Sequence, residues 1–136
     1  LPYPDYGVKL YGNVIIASPK ILKDNPAAVK AFLSAFTKGA REVIASPAVA
    51  IESVKARDGI INVALETRRL QMAIDTVINS PDARTDGFGK LNDARLTLMA
   101  SQVSDAFATK SRVDAAKVWD AGFLPSAAEL NILPKK

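Results

Sequence analysis

Two polar side chains around one glycine, Tyr11-Gly12-Asn13, are the residues in this chain best suited to holding a small molecule. On a strand, residues two apart share a face, so Tyr11 and Asn13 would point the same way. Gly12 leaves room between them for a ligand or another backbone to approach. A phenol hydroxyl and a carboxamide can each donate and accept hydrogen bonds, so the pair fits polar or aromatic solutes and implies no covalent step. The competing reading is structural: Asn13 bonds a neighbouring loop and Tyr11 packs at a strand edge.

Other chemistries fail on residue type or spacing. The 136 residues include no cysteine and no histidine. Thiolate nucleophiles, disulfides, Cys/His zinc sites and a Ser-His-Asp triad are therefore excluded. Asp5, Asp24, Glu42, Glu52, Asp58, Glu66 and Asp75 fall at caps or on polar helix faces, not in pairs built for acid–base work. Gly87-Phe88-Gly89 matches neither phosphate-loop pattern. Asp82 to Asp86 lacks the ligand spacing of a calcium loop. The expectation is a protein that is not an enzyme, with no cofactor and no metal. The net charge is +4, but basic residues are scattered among acidic ones. Arg68-Arg69 and Lys135-Lys136 are the only basic tips, and no basic stripe interleaves with aromatics, so nucleic acid is not an expected partner. No apolar run is longer than the strand-sized Val14 to Ala17, far below the roughly 18 residues of a membrane span.

The elements that must position Tyr11 and Asn13 are one strand and a series of helices. Residues 1–6, with two prolines, read as irregular chain. A strand is expected over 7–17, with Val8, Leu10, Gly12, Val14 and Ile16 on one face and Lys9, Tyr11, Asn13, Ile15 and Ala17 on the other. Its second half is apolar on both faces, as in a strand covered on both sides. Ser18-Pro19, Asn25-Pro26 and Ser46-Pro47 are three cap-plus-proline helix starts, opening helices over 19–24, 26–45 and 47–57. The helix over 26–45 carries an apolar stripe of Val29, Phe32, Leu33, Phe36, Ala40, Val43 and Ile44. Gly39 within it suggests close packing on a neighbour. Gly59 reads as a left-handed cap. Asn62 and Asn92 open helices over 63–79 and 93–108. Residues 80–92 read as a loop, with Ser80-Pro81 as a stop and Phe88 as a plug between two glycines. Residues 111–136 read as irregular, with Trp119 and Phe123 as apolar anchors more than as a ligand platform. The strand has little else in the chain to pair with, and backbone groups must be paired. Another molecule or an absent segment is expected to supply its partners, and a chain opening at Leu1 is expected to be part of something longer.

The run from Tyr11-Gly-Asn-Val-Ile-Ile-Ala-Ser-Pro through Asp24-Asn-Pro to Ser46-Pro47 resembles the NMT1/THI5-like family of ABC-transporter solute-binding proteins. That family shows a hydrophobic strand, a spaced Ser…Leu…Pro start, a helix with an aromatic stripe and a further proline-opened helix. The close Val118-Trp-Asp-Ala-Gly-Phe-Leu-Pro125 is also similar, so the resemblance extends over nearly the whole chain. It implies a mainly α chain with one or two β-strands, forming the C-terminal part of a two-lobed α/β periplasmic-binding-protein (type II) fold. Residues 1–136 would be one partial domain, with 7–17 as the return from the second lobe to the first. Tyr11, Gly12 and Asn13 would then lie at the interlobe cleft. The implied partners are a small solute (nitrate, a sulfonate or a pyrimidine), an ABC permease in the membrane, and the N-terminal half or a second copy of the chain. The implied location is periplasmic or otherwise extracytoplasmic. An independent helical protein-interaction domain, using the stripes of 26–45 and 93–108, is the alternative.

Overall fold

The computed structural model describes residues 3–134; the lysine pair at 135–136 lies outside the described residues. The chain is mainly helical. Its α-helices are α1 (Pro19–Asp24), α2 (Pro26–Ala45), α3 (Pro47–Lys55), α4 (Val63–Ala73), α5 (Pro81–Thr85), α6 (Asp93–Ala106) and α7 (Ala127–Leu130). A π-helical run, Ile74–Ile78, continues α4, and short 3-10 turns stand at Tyr3–Tyr6, Ala115–Lys117 and Ala121–Phe123.

Local chemistry accounts for the helix starts. Ser18 accepts a hydrogen bond from the Ile21 N–H, with Pro19 beginning α1. Asn25 closes α1, its N–H bonding the Ile21 carbonyl, and opens α2, its side chain accepting from the Ala28 N–H. One residue thus serves as end and start, which forces α1 and α2 to diverge at once. Ser46 closes α2 through its N–H to Glu42, but its side chain makes no capping bond, so Pro47 alone marks the start of α3. Ser80-Pro81 is a fourth start and not a stop: Ser80 accepts from the Ala83 N–H and opens α5. Part of the expected loop over 80–92 is therefore helical.

The expected strand does not form. Among the described residues there is no strand, and residues 8–18 carry neither helix nor ladder. The physical reason is the one that makes strands cooperative: a period-2 pattern needs a neighbouring backbone, and none lies alongside. Nor is the stretch covered on both sides. Val14, Ile15 and Ile16 are 58%, 44% and 87% exposed.

The interior is thin. Val29 of α2, Ile51 of α3, Ile74 of the π run, Leu96 and Ala100 of α6, and Leu130 and Ile132 at the C-terminal end are buried. α2 packs against α1, α3, α7 and the Ala121–Phe123 turn, while α3 packs on α4 and α6 on the Ala115–Lys117 turn. The stripe expected along α2 is only partly covered: Phe32 and Phe36 remain about half exposed. Gly39 packs on nothing, since a Cβ placed there would meet open space. Gly59 does not take the left-handed conformation, which falls instead on Gly7, Gly87, Gly89 and, unusually, Ala108.

The C-terminal segment ties these pieces together. Ser126 and Glu129 form a capping box that starts α7. Glu129 also receives the hydroxyl of Ser34, and Arg41 donates to the carbonyls of Ala128 and Glu129 at 3.3 and 2.9 Å. The Phe88 N–H bonds the Leu130 carbonyl at 2.9 Å. Gly87, with φ of 106°, lies so close that a Cβ there would stand 3.0 Å from the Leu130 Cβ. Phe88 stacks on Phe36, which stacks on Phe32, with centroids 6.5 and 6.3 Å apart. The ring expected to plug its loop is thus seated on α2.

Candidate functional site

Tyr11 is held by α6. The hydroxyl of Tyr11 accepts the N–H of Asn92, the N-cap residue of that helix, at 2.8 Å. The Arg95 guanidinium lies 4.2 Å from the centre of the Tyr11 ring, a cation–π contact. The same guanidinium donates to the carbonyls of Lys9 at 3.0 Å and Leu10 at 2.9 Å and to the Asp82 carboxylate at 3.0 Å. The Tyr11 N–H points at the Met99 sulfur, 3.4 Å away. Five donors on a planar fork suit this many-partner role, which an ammonium could not fill. Half-buried Asp82 stabilises the positive charge that this crowding requires.

The clamp leaves part of the Tyr11 hydroxyl unused. It accepts from Asn92, so its own O–H remains a donor. Gly12 and Asn13 follow directly and are exposed. A Cβ at Gly12 would meet nothing within 4 Å. The Asn13 carboxamide makes no hydrogen bond to the described residues. The arrangement is one fixed aromatic hydroxyl followed by an open backbone and a free amide.

Beside this clamp lies a shallow, open cleft of about 350 Å³. Asn92 belongs to both. Asp86, Lys90, Asp93 and Trp119 complete its polar and aromatic walls. A second cleft of about 300 Å³ lies across Trp119 against Leu96 and Thr97 of α6. Trp119 is half-buried between them, and Phe123 faces the Lys30 ammonium at 5.9 Å. The sequence shows Asn92 as a cap and Trp119 as an apolar anchor. It does not show that they share a wall, because that depends on the turn at Ala115–Lys117 folding back onto α6.

The most perturbed titratable group sits elsewhere. The hydroxyls of Ser34 and Ser126, the Ser126 N–H and then Arg41 hold the Glu129 carboxyl below its usual range. This group fastens α7 to α2 and borders neither cleft. Among the described residues no three acidic side chains converge on a metal-sized space, and no helix is long and apolar enough to cross a membrane.

No curated protein and no solved structure matches the chain. A family model does, over residues 1–50, and its description is NMT1/THI5 like. The match is narrower than the resemblance read along the sequence and stops before the Trp119 segment. It takes in the Tyr11-Gly12-Asn13 stretch and the whole of α1 and α2, and over those first 50 residues the chain is similar to the NMT1/THI5-like family.

Proposed function

We propose that the chain serves in capturing a small solute, as the C-terminal part of a two-lobed α/β binding protein that delivers its cargo to an ABC permease outside the cytoplasm. The observation that carries this reading is the family match over residues 1–50, the stretch that holds the candidate site. The geometry is compatible with it. Arg95 and Asn92 fix Tyr11, while Gly12 and Asn13 stay open for a second surface to close over a ligand. Tyr11 would donate its remaining O–H, Asn13 would supply both an acceptor and a donor, and Gly12 would allow close approach. Closure of two bodies on a solute needs no catalyst, which agrees with a chain that offers binding groups and no nucleophile–base pair. Nitrate, sulfonates and pyrimidines are the solute classes that follow from this reading.

The test is a thermal-shift screen of the gene product as expressed, against nitrate, taurine, longer alkanesulfonates and aminopyrimidines. A true ligand at a hundred times its Kd stabilises the folded state by about 2.7 kcal/mol. One class should shift the melting temperature, and Asn13→Ala should reduce the shift. If no class moves it, the reading fails. Exposed Phe32 and Phe36 on α2 favour a second reading, an independent helical interaction domain. That reading predicts no solute shift and a protein partner retained on α2.

A further inference from the structure

We draw no further inference here: the strongest candidate, the open cleft where Asp86, Lys90 and Asp93 meet Trp119 at the start of α6, is walled by exposed charged side chains at a helix N-terminus, and with none of its polar lining residues buried, nothing in the structure shows what it would take.

Discussion

Arg95 decides how the candidate site is held. Its guanidinium ties Lys9, Leu10, Asp82 and the Tyr11 ring to α6. Arg95→Lys keeps the charge but not the fork, so it should lose most of these contacts. Hydrogen bonds to charged groups contribute about 1.5–3 kcal/mol. The partly exposed setting here points to a loss near the lower end, about 1.5 kcal/mol. Urea unfolding of Arg95→Lys and Arg95→Ala checks this: both should fall, and by similar amounts. Ala108 makes a second residue-scale case. It takes a left-handed φ of 46° at the end of α6. The Thr109 N–H bonds the Ser104 carbonyl at 3.1 Å and the Ala108 N–H bonds that of Asp105 at 3.3 Å, the pattern of a Schellman cap. Alanine is strained there and glycine is not, so Ala108→Gly should raise stability by about 1 kcal/mol in denaturant titration. The cap was not legible in the sequence because alanine carries no stop signal. Gly59, which does carry one, sits in a different conformation.

Between elements, the fastening of α7 to α2 runs through Glu129. Its carboxyl is held below the usual range by the Ser34 and Ser126 hydroxyls, then the Ser126 N–H and Arg41. A depressed folded-state pKa stabilises the fold above the unfolded value, and that stabilisation is lost as pH falls through the folded one. Stability should therefore drop as pH goes from about 4.5 downward, and Glu129→Gln should flatten that part of the profile. A melting series from pH 7 to pH 3 measures it. The elements themselves were unevenly legible. Helix starts at 18–19 and 25–26 follow from side-chain caps and proline, and the start at 46–47 from proline alone, all of which act locally. The same device at 80–81 is easily misread as a stop, since proline can end one helix and begin the next. The strand expected over 7–17 is absent for a different reason. Its alternation is real, but a ladder is not a local property. Tyr11 could be singled out by type; its clamp to Arg95, 84 positions away in sequence, could not.

At the scale of the molecule, the thin interior and wide surface belong together. Few side chains are fully withdrawn from water, and Phe32, Phe36 and Phe107 remain open. Unfolding should then expose less new surface than in a compact protein of this length. The urea m-value should fall below that of such a protein, for which 1–3 kcal/mol/M is typical. A value at the top of that range would show that the apolar faces are covered in solution. The central claim remains solute capture at Tyr11, Gly12 and Asn13. Calorimetric titration of the screened solute into the wild-type gene product and into Asn13→Ala tests it most directly. Asn13 is exposed and bonds no described residue, so the substitution leaves the fold intact. Loss of one amide contact, about 1.4 kcal/mol, should weaken Kd about tenfold. An unchanged Kd in Asn13→Ala, or no heat from any solute class with either protein, would contradict the account.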